Sequence, residues 1–335
     1  MKILITNFYS IFNLGTFHDM LLVKKIFLSS KFFIFSFPAF YKKVEGFNLI
    51  SPKMKDKDNL LFSVLKFLIS IFLKRRQIIK CDCAIDLAGD YLNDVNYSIF
   101  HPLLYFFNLL PVIIYKIPFI IFFQSIGPLK FGVNKILAKY LLQKASLIII
   151  RESYSYNYVK KLGINKEKII FSRTPIIFHR KLKKKKYIGI LVDKNLEYFL
   201  KEKNIDLMKL YSSIIRVFLN KNEKIMLLPQ VIGPEKIPFP LKYINDYSII
   251  KELKNNLKTS KLIVPSIKTP EDLIKNIAKC KFCIVSRFHS LMFILSLRVP
   301  FYCISYNKKT EYLLKDLNLN KFCLPIMKPS YNLKF

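Results

Sequence analysis

Between residues 282 and 306 the hydrophobic pattern of the sequence changes twice, and few architectures accommodate that alternation. A short apolar run that includes Ile284 and Val285 ends at Ser286-Arg287-Phe288-His289-Ser290. An apolar segment with the character of a buried helix follows over residues 291–297, and a second apolar run over residues 299–306. A strand, a helix and a second strand in this order predict a βαβ unit within a parallel sheet, and therefore an α/β fold.

Other short apolar runs with loop residues at their carboxyl ends predict the remainder of two parallel sheets. In the first half, strands are predicted at residues 1–6, 84–87, 119–123 and 147–150, and helices at residues 19–28 and 135–144. In the second half, strands are predicted at residues 187–192, 224–228, 263–264 and 282–285, with a helix at residues 207–219. The chain of 335 residues is long enough for two such domains.

The basic stretch from His179 to Lys186 has no apolar periodicity and is the best candidate for a linker. We therefore expect an N-terminal α/β domain over residues 1–178, a linker over residues 179–186 and a C-terminal α/β domain over residues 187–335. The expected architecture is two Rossmann-like domains with parallel sheets facing a cleft, which is the usual place for a ligand site.

The formal net charge of +34 first suggests a nucleic-acid-binding protein. However, Lys, Ile, Asn and Phe are abundant and Trp is absent, a pattern that AT-rich coding produces without selection for charge. No helix-turn-helix, zinc finger or aromatic RNA-reading motif is found, so no specific nucleic-acid partner is expected. The remaining excess of charge suits an acidic substrate or an anionic membrane surface.

The six cysteines lie mostly in apolar contexts and indicate a reducing cytoplasm. Cys280 and Cys283 have CxxC spacing, but the second begins a predicted strand and no other pair has zinc-like spacing. No metal or cofactor is therefore expected. The first seven residues are typical of a strand rather than a signal sequence, so we expect a cytoplasmic location, with the inner face of the membrane as an alternative.

Two apolar stretches resemble membrane spans. The stretch over residues 103–123 contains Pro111, Lys116 and Pro118, which are expected to divide it into a helix and a strand. The stretch over residues 61–79 places five large apolar residues on one helical face, with a basic cluster after them. That helix is either buried with a charged end or rests on an anionic leaflet.

Arg287 and His289 are the leading candidates for chemistry. A guanidinium offers a planar fork of donors that matches carboxylate or phosphate, and histidine can exchange a proton near neutral pH. Ser290 lies where a helix N-terminus would present its backbone amides to an anion. The alternative is structural: Arg287 pairs with a carboxylate of the protein, and His289 satisfies a hydrogen bond in the core.

Several loops, taken in order, resemble the polysaccharide pyruvyl transferase family. The two most specific are Gln124-Ser125-Ile126-Gly127-Pro128 and Ser286-Arg287-Phe288-His289-Ser290. The others are Asn13-Leu14-Gly15, Arg151-Glu152-Ser153, Pro229-Gln230 with Gly233-Pro234, and Val299-Pro300 leading to Ser305-Tyr306-Asn307-Lys308-Lys309-Thr310.

The resemblance implies a fold like that of the B-type glycosyltransferases and transfer of a pyruvyl group from phosphoenolpyruvate to sugar hydroxyls as a ketal. The pathway would be assembly of capsule, exopolysaccharide or cell-wall polymer, with a sugar or lipid-linked oligosaccharide as the acceptor. Arg287, with Arg151 or Lys309, would bind the donor, and His289 would act as general acid or base. The other expected substrate contacts are Asn13, Gly15, Asp90, Gln124, Ser125, Gly127, Gln230, Ser286, Ser290 and Tyr306.

Each of these assignments has a structural alternative. Residues 124–128 can be only a turn, Arg151 can pair with Glu152, Lys309 can be an ordinary exposed lysine, and Asp90 and Asp94 can cap helices instead of orienting the acceptor. The sequence also departs from the family pattern, with Thr16 where relatives often carry an acidic residue. Two other functions stay open, a glycosyltransferase with a nucleotide-sugar donor and a non-catalytic basic binding protein. The oligomeric state is not predicted.

Overall fold

The computed structural model describes residues 1–8, 11–36, 44–52, 60–94, 100–172, 185–201, 203–233 and 245–326. These residues form two compact units. The N-terminal unit holds the described residues up to 172 except 12–15, and the C-terminal unit holds residues 12–15 together with those from 185 onward. The predicted domain boundary at residue 178 and the linker residues 179–184 lie outside the described residues.

The N-terminal unit contains seven strands and six α-helices among its described residues. In chain order they are β1 (Lys2–Thr6), α1 (Leu14–Ile26), β2 (Lys31–Ile34), β3 (Phe47–Leu49), α2 (Leu60–Leu73), α3 (Arg75–Ile78), β4 (Cys83–Asp86), α4 (His101–Ile114), β5 (Phe119–Gln124), α5 (Gly132–Lys144), β6 (Leu147–Ile150), α6 (Ser153–Lys161) and β7 (Ile169–Phe171). The first two residues of α1, Leu14 and Gly15, group with the C-terminal unit.

The strands of this unit form one parallel sheet in the order β3-β2-β1-β4-β5-β6-β7. Alternate residues of β1 serve opposite faces, as the pleat requires. Ile3 and Ile5 pack in a cluster with α1, whereas Leu4 packs in a cluster with α2, α4 and α5. Helices therefore cover both faces, which explains why the strands are apolar throughout instead of alternating with polar residues.

The C-terminal unit repeats this plan. Its elements are β8 (Tyr187–Val192), α7 (Leu196–Lys201), α8 (Leu207–Asn220), β9 (Ile225–Pro229), α9 (Asp246–Leu257), β10 (Leu262–Ile263), α10 (Pro270–Ile277), β11 (Cys280–Val285), α11 (Phe288–Ser296), β12 (Phe301–Ser305), α12 (Lys308–Asp316) and β13 (Cys323–Pro325). The strands are parallel in the order β10-β9-β8-β11-β12-β13.

Side-chain caps set the starts of several helices in this unit. The Asp206 carboxylate accepts a hydrogen bond from the Lys209 amide at the start of α8, at 2.7 Å. At α10, Thr269 and Asp272 form a capping box. Each cap satisfies amides that have no partner inside the helix, so the polar residue marks where the helix begins.

The predicted fold class is confirmed, since both units are α/β with parallel sheets. The predicted βαβ unit is β11-α11-β12, in which Cys283 lies opposite Phe301. Its helix begins at Phe288, three residues earlier than predicted, and α1 begins at Leu14 instead of residue 19. Helix starts are predicted less well than helices themselves because end residues carry little periodic signal.

The apolar stretches over residues 61–79 and 103–123 do not form single long helices. The first gives α2 and α3, and the second gives α4 followed by β5, as predicted, although α4 continues past Pro111. In the part of the chain that the structure describes, no helix combines the length and apolar character needed to cross a bilayer.

Candidate active site

The strand order of the C-terminal sheet reverses between β8 and β11, and the polar residues that follow these two strands meet there. Asp193 follows β8, and Ser286 and Arg287 follow β11. The Ser286 hydroxyl donates to Asp193 Oδ2 at 2.9 Å. In open α/β sheets, ligands bind outside the carboxyl ends of the strands at such a reversal. This edge of the sheet is therefore the candidate site of the C-terminal unit.

Arg287 is held by two carboxylates at this edge. Its Nη2 atom lies 2.7 Å from Asp193 Oδ1 and 3.3 Å from Asp246 Oδ1, and both aspartates are fully buried. The Arg287 side chain is 11% exposed, and its Nε atom has no hydrogen-bond partner among the described residues. The Arg287 guanidinium is therefore mostly buried and pairs with carboxylates of the protein, as the structural alternative predicted.

Burial and charge shift the pKa values of this cluster in ways the sequence does not reveal. Burial raises the pKa of Asp246 to about 6, even though the nearby Arg287 charge lowers it. For Arg287, burial lowers the pKa, but the charges of Asp193 and Asp246 together outweigh burial and the pKa is raised. Arg287 therefore stays charged, and the Asp246 carboxyl takes up a proton at a higher pH than an ordinary aspartate does.

Asp246 also accepts hydrogen bonds from three backbone amides in two other segments. Its Oδ2 atom accepts from the amides of Gln230 at 2.9 Å and Val231 at 2.7 Å, and its Oδ1 atom accepts from the Lys194 amide at 3.0 Å. Sequence reasoning missed both Asp193 and Asp246. Asp193 had a usable signal because it directly follows a predicted strand, whereas Asp246 is the first residue of a helix and had none.

His289 lies in the first turn of α11, directly against Gly15 of α1. A Cβ atom built on Gly15 would lie 2.6 Å from the His289 Cβ atom, closer than real Cβ atoms approach other atoms. The Asn13 side chain accepts from the Gly15 amide at 3.1 Å, and Asn13 forms an antiparallel bridge with Val231. Gly15 therefore allows a close approach that no larger residue permits.

The other predicted residues of this unit surround the same turn. The Ser290 hydroxyl donates to Gln230 Oε1, and Gln230 Nε2 donates to the Val192 carbonyl at 3.0 Å. The Tyr306 ring stacks on Phe199 with centroids 4.6 Å apart. Lys309 Nζ lies 5.7 Å from the ring centroid of Phe288, the first residue of α11. The C-terminal unit thus gathers nine of the predicted residues: Asn13, Gly15, Gln230, Ser286, Arg287, His289, Ser290, Tyr306 and Lys309.

In the N-terminal unit, Asp86 is the last residue of β4, at the corresponding reversal of strand order. Its carboxylate accepts from Asn7 Nδ2 and the Tyr105 hydroxyl, each at 2.6 Å, from Thr6 Oγ1 at 3.4 Å, and from Gln124 Nε2. Burial raises its pKa to about 6, while these hydrogen bonds lower it. Gln124 is therefore fixed by a fully buried carboxyl.

Arg151 is buried in the same unit, with a side chain that is 1% exposed. Its Nε atom donates to Ser125 Oγ at 2.9 Å and its Nη2 atom to the Gly89 carbonyl at 3.0 Å, while Glu152 Oε2 lies 3.9 Å away. Ser125 Oγ donates in turn to Glu152 Oε2 at 3.1 Å. These contacts match the structural alternative for Arg151, because they tie together three loops at the carboxyl edge of the sheet.

The remaining residues of the N-terminal motifs also contact the protein itself. Gly127 has a φ of +76°, and a Cβ atom there would lie 2.7 Å from the Tyr158 ring. Asp94 accepts from the Lys130 and Phe131 amides at the start of α5, as the helix-cap alternative requires. Asp90 is half-buried in the turn after Gly89.

Two parallel-sheet α/β units define a protein with the fold of the B-type glycosyltransferases. A family model described as polysaccharide pyruvyl transferase matches residues 17–308, and the chain belongs to this family of transferases. A search of curated proteins finds no significant match.

Solved structures with this fold match nearly the whole chain. Anabaena HepE in complex with UDP-glucose is 11% identical, with 91% of this chain and 80% of that chain covered and a TM-score of 0.55. Sucrose-phosphate synthase from Thermosynechococcus elongatus is 9% identical, with 98% and 86% covered and a TM-score of 0.54. The UDP complex of S. aureus MnaA is 11% identical, with 92% and 80% covered and a TM-score of 0.55. At these identities the likeness concerns the fold.

Proposed function

We propose that this protein transfers a pyruvyl group from phosphoenolpyruvate to two hydroxyls of a sugar, which forms a cyclic ketal. Membership of the polysaccharide pyruvyl transferase family supports the reaction class. The observation that carries the proposal is the first turn of α11, where His289 packs against Gly15 just after the strand reversal. Two motifs far apart in the sequence meet at that turn.

In this proposal the Arg287 guanidinium does not bind the donor directly, and other groups do so. With Asp193 and Asp246 beside it, the Arg287 cluster carries no net positive charge when both carboxyls are ionised. Phosphoenolpyruvate carries a phosphate and a carboxylate. The N-terminus of the nine-residue helix α11, with Lys309 beside its first residue, supplies the positive potential. Arg287 then serves as a positioning residue that fixes the turn between β11 and α11, and Arg151 fixes residues 124–128 in the same way.

In this scheme His289 acts as general acid and then as general base. It gives a proton to the methylene carbon of phosphoenolpyruvate, which leaves the central carbon electron-deficient. A sugar hydroxyl attacks that carbon, and its proton returns to His289. The carbon–oxygen bond to phosphate then breaks, phosphate leaves with the bonding electrons, and a second hydroxyl attacks as its proton passes to phosphate. The products are a cyclic ketal and phosphate, so atoms and charges balance.

The acceptor in this proposal is a sugar or a lipid-linked oligosaccharide in the assembly of capsule, exopolysaccharide or cell-wall polymer. A vicinal or 1,3-diol is required, because both new bonds form at a single carbon. The reaction needs no redox step and no resident cofactor, only the donor and the acceptor.

Two measurements test the proposal. In thermal unfolding, phosphoenolpyruvate should raise the melting temperature, since a ligand at 100 times its Kd stabilises the native state by about 2.7 kcal/mol. Lys309→Met should reduce that shift, whereas Lys308→Met is the matched control, because Lys308 is exposed and pairs with Glu311. Donor-dependent phosphate release with a panel of sugar diols should be abolished in His289→Ala while the thermal shift persists.

The outcomes separate the candidate functions. A melting shift with UDP-glucose and none with phosphoenolpyruvate would replace the proposal with a nucleotide-sugar transferase. No shift with either donor, together with salt-sensitive binding to random oligonucleotides, would favour a non-catalytic basic binding protein. Normal phosphate release by His289→Ala would remove His289 from the mechanism.

A further inference from the structure

One layer of the N-terminal unit has an apolar outer surface. Helices α2, α4 and α5 all pack their inner residues into the same core cluster, so they lie on one face of the sheet. The residues of α2 that point away from that core are also large and apolar. They are Phe62, Leu65, Ile69, Phe72 and Leu73, and Phe72 is 68% exposed.

The other two helices of this layer continue the pattern. On α4, Leu103 and Ile114 are exposed at positions that share one helical face. On α5, Val133 is 77% exposed, and Ile136, one turn further on, is also exposed. Single exposed apolar residues are ordinary on protein surfaces, but a set spread over three neighbouring helices marks an interaction surface. We call these exposed residues of α2, α4 and α5 the apolar face.

The charged residues within the helices that carry the apolar face are all basic. No Asp or Glu occurs in the sequence segments that contain helices α2 to α5. These segments are residues 60–81, 100–118 and 129–147. Their basic residues are Lys66, Lys74, Arg75, Arg76, Lys80, Lys116, Lys130, Lys135, Lys139 and Lys144. Of the acidic residues that flank these segments in the sequence, Asp82 accepts from the Lys2 amide, Asp94 caps α5, and Asp58 lies outside the described residues.

Cations and exposed rings are interleaved on this surface. Lys66 Nζ lies 4.6 Å from the Phe62 ring centroid, and Lys144 Nζ lies 5.7 Å from that of Tyr140. Long lysine side chains in this arrangement can bury their methylene stems beside apolar groups and keep their ammonium groups at a polar boundary. Lys74, Arg75 and Arg76 add a cluster of positive charge at the end of α2.

We infer that the apolar face docks on the surface of an anionic lipid bilayer. Apolar side chains on helices that lie in the interface, rimmed by Lys and Arg, bind through buried apolar area and through attraction to anionic headgroups. A second copy of the chain is a poorer partner, because a symmetric contact through this face would bring two groups of like charges together. The inference does not depend on the proposed reaction.

Vesicle sedimentation with the full-length protein, in the absence of phosphoenolpyruvate, tests this inference. Vesicles that contain phosphatidylglycerol should bind the protein, binding should weaken as salt is raised, and pure phosphatidylcholine vesicles should bind at least about tenfold less. The double variant Ile69→Asp with Phe72→Asp should lose about tenfold or more in vesicle affinity. The matched control is the double variant Ile26→Asp with Leu28→Asp. Both residues are exposed and apolar, and they lie at the end of α1 on the opposite face of the sheet. This control variant should bind vesicles as wild type does.

A second variant keeps the test decisive if the first does not fold. Arg75→Glu with Arg76→Glu changes only exposed residues and should remove the preference for phosphatidylglycerol. Equal binding to both kinds of vesicle, or unchanged binding by folded variants, would overturn the inference. A further result would also overturn it: wild type does not bind vesicles but sediments as a dimer, and the double variant Ile69→Asp with Phe72→Asp is a monomer. The partner of the apolar face would then be a second copy of the chain.

Discussion

Replacing Arg287 with methionine (R287M) tests whether the guanidinium compensates the buried charges of Asp193 and Asp246. The substitution keeps an unbranched side chain but removes the charge that Asp193 and Asp246 share. Both carboxylates are fully buried, so their charges would be left without compensation. Removing one partner of a buried ion pair destabilises a protein by about 3–5 kcal/mol. At roughly 2–4 °C for each kcal/mol, the C-terminal unit should melt roughly 6–20 °C lower at pH 8.

The loss should depend on pH in a defined direction. Burial raises the pKa of Asp246 to about 6 in the native protein, so its protonated form favours folding at low pH, and that contribution disappears as pH rises through about 6. Without Arg287 the pKa of this carboxyl rises further, and the contribution is lost over a range that extends to higher pH. The difference in stability between wild type and R287M should therefore be smaller at pH 5 than at pH 8, growing by up to about 1.4 kcal/mol per pH unit above pH 6.

Urea unfolding followed by circular dichroism at pH 5, 6, 7 and 8 measures this difference. Arg216→Met is the matched control, because Arg216 is exposed on α8 of the same unit. Combining R287M with Asp246→Asn should recover part of the loss at pH 8, since one uncompensated charge is then removed. A loss that is as large at pH 5 as at pH 8, or no larger than that of the control, would show that Arg287 does not compensate the buried carboxylates.

Two further predictions follow from contacts elsewhere in the molecule. Gly15→Ala should lower the free energy of unfolding by only about 0–2 kcal/mol, because better helix propensity offsets part of the overpacking against His289. By displacing His289, the same substitution should reduce donor-dependent phosphate release about tenfold or more. Unchanged turnover would contradict this prediction. Asp86→Asn removes a buried carboxyl whose pKa is raised to about 6. The stability advantage of wild type over the variant in urea unfolding should therefore shrink by about 2 kcal/mol between pH 4 and pH 7. A constant difference would show that Asp86 does not titrate in this range.

The predicted strands and helices depended on local patterns, and most of them are present. Short apolar runs such as residues 147–150 and 187–192 are strands with the predicted bounds, because a strand buried on both faces needs only a continuous apolar run. Helix starts were less accurate. Helix α11 starts at Phe288, so Arg287 is its N-cap residue, and the Arg287 side chain makes no capping hydrogen bond. Because Arg is not a typical N-cap residue, the sequence did not indicate this helix start.

Nine of the predicted site residues lie together in the C-terminal unit, and the others lie in the N-terminal unit. Ser286, Gln230 and Ser290 meet at the candidate site, and His289 packs against Gly15. Their contacts with substrate stay predictions. Arg151 was expected either to bind the donor or to pair within the protein, and its burial among Ser125, Gly89 and Glu152 supports the structural role.

The parallel α/β sheets and the loops typical of the polysaccharide pyruvyl transferase family could be predicted from the sequence alone, because hydrophobic periodicity and local motifs extend over only a few residues. That the charge of Arg287 is offset by two carboxylates follows from the fold, because Asp246 is 41 positions away in the sequence and Asp193 follows a different strand. The fold also determines which apolar residues of α2 are buried and which stay exposed. Charge balance, burial and exposure depend on which distant segments meet, and no local pattern encodes them.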